Sequence, residues 1–358
     1  MVGLADRGWR DDLHQQQPRN AGLQDTGDLM AAVIRYINTA STAGGDGTTN
    51  ATSGANRAYP SMAAWYTAEK TDLVSDGDTH TVRCAAGIDS AGAIVISSSD
   101  WTTDATHFIT IEPVSGDEHG GVYGEGYIFS TSTGGYTQAF YLSVPYTVIR
   151  GITIKNTSTS SNARCVHNNA HCTWDSCFFS AAASSGDAFY NGADDGGYVI
   201  NCCAVSGYCG FRAFNYDHPT WLNNTAVGCT YGFRREGASG TLQASNNVAY
   251  GNATADFSGA SVSGSNNASG DSSAPGTSPV TSITSAAFNN YAGGDYSPAS
   301  GGVLVGAGTD LSGTFTNDIA GNTRSAWDIG AWEYIAAGGG FQSAWARGSN
   351  QILGGFNP

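Results

Sequence analysis

From Thr79 onward the chain breaks into short runs, among them THTVRCAAG, AGAIVISSS, HFITIEPV, GYIFS, AFYLS and YTVIRGITIKN. They either alternate apolar and polar residues or stay apolar for four or five positions, as strands of a parallel sheet packed on a core do. The runs also repeat. RGITI at Arg150 aligns with DSCFF at Asp175, NCCAV at Asn201, NNTAV at Asn223 and NNVAY at Asn246, with offsets of 25, 26, 22 and 23, and Asn266 follows 20 residues later. A second strand recurs in each repeat, in ARCVHN from Ala163, GDAFYN from Gly186, CGFRAFN from Cys209 and YGFRREG from Tyr231. Two or three short strands in a repeat of this length predict an all-β right-handed parallel β-helix. A β-propeller needs roughly 40 residues per blade, and a leucine-rich repeat needs Leu at fixed places. Neither pattern is present.

Asn201, Asn223 and Asn246 are expected where each coil bends, because Asn tolerates left-handed backbone and stacked amides hydrogen-bond along the axis. The recurring aromatics Trp174, Trp221, Tyr198, Tyr208, Phe211, Tyr231 and Phe233 are assigned mostly to the core, any exposed ones being free to stack on sugar rings or a partner. Outside the repeats the pattern changes. Residues 1–28 read as a polar arm, with Gln15, Gln16 and Gln17 before Pro18. Residues 29–78 read as an N-terminal cap, in which Leu29–Ile37 suits a helix or a first strand. A short helix is predicted near 61–73, with Ser61 as its N-cap, covering the otherwise open end of the solenoid. The β-helix itself is assigned to 79–335 and a Gly-rich tail to 336–358.

Composition narrows the functional classes. The 358 residues carry 15 Lys and Arg against 30 Asp and Glu, a net charge of −15. That excludes a general nucleic-acid binder, which needs a basic surface to displace counterions. No apolar run approaches the roughly 20 residues of a membrane span. MVGLADRGWRDDLHQQQ lacks the apolar core of a secretory signal, so synthesis and assembly in a cytoplasm are expected. The eight cysteines include no CxxC pair, and neither metal nor cofactor is expected. They are expected as buried thiols, with Cys177, Cys203 and Cys229 stacking on successive coils, while a Cys209–Cys229 disulfide stays open.

The ending GDYSPAS, GAGTD, DIAGNTR and DIGAWEY resembles the last coil of pectate-lyase-like right-handed β-helix proteins of bacteria, phages and marine metagenomes. AYPSMAAWYTAEKTDL, followed by DWTTDATHFITIEPVSGDEHGG, is similar to the opening of the same group. Together these segments span about residues 30–335. The resemblance implies the fold more strongly than an activity. The tail, IAAGGGFQSAWARGSNQILGGFNP, resembles the ends of phage structural proteins.

Two functional readings follow. In the first, the chain is a phage virion protein on the particle surface: a capsid decoration, fibre or tail spike that stabilises the capsid or attaches to host glycans. It needs no catalysis, and homo-oligomers, of which trimers are frequent among such spikes, are expected. Trp9 and Arg10 in the arm and Trp345 and Arg347 in the tail are then the expected contacts to neighbouring subunits or other virion proteins. In the second, it is a polysaccharide lyase or glycoside hydrolase. Hydrolysis needs two carboxylates at a set separation, and a lyase needs a base and a cation beside the uronate. Asp187, Asp194, Asp195, Asp217 and His218 are the candidates, with Arg212, Arg234 and Arg235. Arg212 and Arg234 lie 22 residues apart in matching strands and are expected to stack on one face, where beside Asp187 they suit an acidic sugar.

Overall fold

One backbone position takes positive φ in six successive coils: Gly151 (66°), Ser176 (55°), Asn201 (52°), Asn223 (52°), Asn246 (58°) and Asn266 (53°). Gly and Asn adopt this left-handed conformation at lower cost than other residues, and the bend it makes turns each coil from one sheet to the next. The computed structural model describes residues 31–132, 138–182, 185–192, 197–214, 219–237, 240–259 and 262–336. Trp9, Arg10, Asp194, Asp195, Asp217, His218, Trp345 and Arg347 lie outside the described residues, as do the polar arm and all but the first residue of the tail.

The coils stack as a parallel β-helix. A first sheet of nine strands runs from Ala31–Ile37 through Asp78–Cys84, Ile109–Pro113, Thr147–Arg150, Cys172–Asp175, Tyr198–Ile200, Thr220–Leu222 and Leu242–Ser245 to Val262–Ser263. The segment Leu29–Ile37, open between helix and strand in the sequence, is thus described over Ala31–Ile37 as the first strand, paired in parallel with Asp78–Cys84. The second and third sheets are joined through the long strand Cys203–Phe214, which pairs in both. Successive strands of a sheet lie about 4.8 Å apart.

Inside, aromatic rings follow the axis. Phe211 stacks on Phe233 at 5.0 Å and Phe233 on Phe257 at 4.8 Å. Trp174, Trp221, Phe211 and Phe233 are buried as expected, whereas Tyr198, Tyr208 and Tyr231 are only half-buried. The end of the core is covered by helix α1 (Met62–Glu69), where Ser61 accepts from the Ala64 N–H at 3.1 Å and Met62 and Trp65 are fully buried. A second short helix, α2, spans Leu73–Asp76.

The register corrects two expectations. Arg150 pairs with Asp175, but Asp175 pairs with Ile200, so the equivalent of Asn201 is Ser176 and the alignment slips by one residue there. The cysteine column also shifts: the Cys177 N–H points to Cys202 Sγ at 3.4 Å, while Cys203 pairs with Phe178 and Cys229 with Gly207. All eight cysteines are buried free thiols. Cys209 faces Tyr231 rather than Cys229.

The Asn pairs divide into two ladders. The second Asn of each pair points inward: Asn224 donates to Asn247 at 3.0 Å and Asn247 to Asn267 at 3.1 Å, and the same oxygens accept the Asn224 and Asn247 backbone N–H groups. The first Asn points outward and holds the closing segment as it returns along the helix. Asn266 donates to Ala307 O, Asn246 to Thr309 O, Asn223 to Asp328 O and Gly330 O, and Asn201 to Asn317 O, all at 2.7–3.0 Å. One bond within the outer ladder, Asn246 to Asn223 at 3.0 Å, is of the expected stacking kind.

Candidate functional site

The third sheet carries one continuous outward row. Strand register places Tyr141, His167, Tyr190, Arg212 and Arg234 side by side on five adjacent strands. Their side chains face out because Phe140, Val166, Phe189, Phe211 and Phe233, each one residue earlier, face the core. The His167 ring sits edge-on between Tyr141 (4.9 Å) and Tyr190 (4.8 Å). Burial pulls His167 down to about 4, with Arg164 adding to the shift, so it is neutral near pH 7.

Arginine and carboxylate alternate beside this row. Asp187 Oδ2 is 3.4 Å from Arg164 Nε and 3.1 Å from Arg212 Nη1. Arg212 also pairs with Glu236, whose Oε1 lies 2.6 Å from Arg234 Nη2. Arg164 lies 3.8 Å over the Tyr190 ring and Arg234 4.4 Å over Tyr231, and Arg234 donates to the Tyr208 hydroxyl at 2.7 Å. The three guanidiniums keep 18–23% of their side-chain surface, whereas Asp187 keeps 2%. Burial raises the Asp187 carboxyl above its ordinary value, and the two arginines only partly offset it.

The structure therefore unites Asp187, Arg212 and Arg234, as their spacing predicts, and adds Arg164, Glu236, His167, Tyr141 and Tyr190. Arg164 was readable in ARCVHN, aligned with Asp187 in GDAFYN. His167 and Tyr141 carry no local signal, since only the register makes them neighbours. Arg235, grouped with Arg212 and Arg234 in the sequence, is 3% exposed and turns away from this face.

Chemically the row offers cations seated on aromatic rings rather than free acids. Asp187 is buried, and each carboxylate is tied to two arginines, so neither is placed as the acid or base of a hydrolase. Among the described residues no group of three His, Cys, Asp or Glu side chains is arranged to hold a metal ion.

No family model matches the chain. The curated proteins contain no match either. Among solved structures it is similar to the crystal structure of pectate lyase Pel9A, with 14% identity, 86% of this chain and 97% of that chain covered and a TM-score of 0.48.

Proposed function

We propose that the chain is a β-helical rod that binds an acidic polysaccharide along the outer face of its third sheet, without cleaving it. The observation that supports this is the row Tyr141–His167–Tyr190–Arg212–Arg234, with its guanidiniums partly exposed over aromatic rings. Sugar faces stack on tyrosine, and guanidiniums pair with carboxylates in forked geometry. With the strands about 4.8 Å apart, neighbouring arginines meet successive charges of an extended polyanion. The setting, a phage virion surface where such binding means attachment to host glycans, rests on the resemblance of the sequence ends.

Binding of a polyuronate to the full chain and to Arg234→Gln tests this reading. Arg234 is half-buried on the surface, so the variant is expected to stay folded and to bind about tenfold more weakly, the worth of a charged hydrogen bond. Unchanged affinity would remove the row from the binding site.

A further inference from the structure

The second sheet, through its strands Tyr127–Thr131, Thr153–Asn156 and Phe178–Ala181, carries a cation that the fold does not neutralise. Lys155 stands outward between Ser130 and Ser180 on the adjoining strands, because Phe129, Ile154 and Phe179, each one residue earlier, face the core. It is half-buried, and its Nζ lies 4.4 Å over the Tyr123 ring. Every other described lysine or arginine head group meets a carboxylate or a backbone carbonyl, Lys70 at Asp100 and Arg57 at Thr42 O among them. Among the described residues Lys155 meets neither. Burial lowers its amine below the ordinary lysine value, and no carboxylate acts in the other direction.

The groups beside it also lack acceptors. The Ser130 hydroxyl makes no hydrogen bond among the described residues. Thr153, the outward residue before Lys155 on the same strand, is fully buried with its hydroxyl unpaired. Ser180 differs, since its hydroxyl bonds that of Ser206 at 2.7 Å. The loop that brings Tyr123 over the sheet leaves the ammonium open: residue 124 is a glycine, and even a Cβ there would stand 3.9 Å from Nζ. A half-buried charge without a counter-charge is costly, and so is a hydroxyl without a partner. A ligand made only of acceptor oxygens offsets both.

We infer that Lys155 and Ser130 hold a tetrahedral oxyanion, a sulfate or phosphate group either free or as a monoester. Such a group carries several acceptor oxygens about one centre, so it accepts from both side chains across strands roughly 4.8 Å apart. The charge-assisted bond to the ammonium supplies most of the affinity. The organic part of an ester would rest against Val122 and Tyr123, which are exposed at the tip of the loop. The site lies on the second sheet and does not depend on the row of the third.

The chain has two lysines, Lys70 and Lys155, so lysine-selective carbon labelling of the full chain gives two side-chain signals that report each site locally. Inorganic sulfate and galactose 6-sulfate are titrated separately, with sodium chloride at matched ionic strength and sodium acetate as controls. The Lys155 signal is expected to shift saturably while that of Lys70 stays in place, with an affinity at least about tenfold above that for chloride or acetate. Tighter binding of the sugar ester than of sulfate identifies an ester as the ligand, and the reverse identifies the free ion. Ser130→Ala is expected to weaken the response about fivefold. Lys155→Met, which keeps the stem, is expected to unfold at a denaturant concentration no lower than the parent, since the charge it removes is unpaired. A Lys155 signal that moves no more than that of Lys70, or that answers chloride or acetate equally, overturns the inference. So does Ser130→Ala with unchanged affinity, or a Lys155→Met variant that is destabilised, which would make the ammonium part of the fold rather than of a site.

Discussion

Arg324 Nη2 donates to Asn201 Oδ1 at 2.7 Å, across 123 residues of sequence. The same nitrogen donates to Gly330 O and Ala331 O, and Nη1 lies 3.5 Å from Glu333 Oε2. The guanidinium has no exposed surface, and Asp318 and Asp328 also act on it. Around it Asp318 accepts from the Ala320, Asn322 and Glu333 N–H groups, and Glu333 from those of Ser325 and Ala326. This mutual locking is what the motifs DIAGNTR and DIGAWEY encode.

Arg324→Met is expected to destabilise the protein by about 3–5 kcal/mol, because it strands buried carboxylates without their cation. Chemical denaturation reads the loss. Proteolysis should then cut first within residues 303–334, since this segment is held to the coils by the outer asparagines. A variant as stable as the parent would mean that the guanidinium contributes nothing to closure.

The outer asparagines separate backbone strain from grip. Asn223→Gly keeps the left-handed bend and loses the bonds to Asp328 O and Gly330 O, whereas Asn223→Ala loses both. Asn223→Ala is expected to cost about 1 kcal/mol more than Asn223→Gly, measured by the shift in denaturation midpoint. Equal cost would place the whole effect in the hydrogen bonds.

This division was half legible in the sequence. The repeat length, the strand pattern and the Asn column announced the parallel β-helix, because coil-to-coil stacking forces similar residues into similar places. In Asn223-Asn224 or Asn246-Asn247, however, both residues look alike, and which one turns inward is decided only by the bend. The slip at Asp175 has the same origin: Ser176 bears the positive φ there, and no Asn marks it. For the outer row, the 22-residue spacing of Arg212 and Arg234 equals one coil and was readable. His167 and Tyr141 needed the register of strands whose connecting loops vary in length.

Acid should loosen the fold through its histidines. Burial lowers His80 and His119 to about 4 from an ordinary 6.5. His80 Nε2 accepts from Trp65 Nε1 at 3.0 Å, and His119 Nδ1 accepts from the Gly121 N–H at 3.0 Å, so protonation breaks both bonds. Because the unfolded chain takes up these protons first, stability is full above pH 6.5 and falls as pH drops toward 4, by about 3 kcal/mol per histidine. Denaturation midpoints from pH 7.5 to 4 test this. His119→Gln should flatten the slope, and an unchanged slope would remove His119 as a contributor.

The buried carboxylate of the outer face predicts an asymmetry. Burial raises Asp187, so its charge is already costly, and Asp187→Asn, which keeps the shape, is expected to change stability by less than about 1 kcal/mol. Arg212→Met leaves that charge with Arg164 alone and is expected to cost about 2 kcal/mol. Thermal or urea unfolding distinguishes the two, and the reverse order would contradict the electrostatics described for this face.

The central claim, recognition of an acidic polysaccharide without cleavage, is tested most directly by one incubation. A polyuronate and a neutral glucan of similar length are each mixed with the full chain, and retention and chain length are followed together over time. The expected result is saturable retention of the polyuronate alone, weakened by salt as charge pairing requires, with the polymer length unchanged. New reducing or unsaturated ends accumulating with turnover, or equal retention of the neutral glucan, would contradict it.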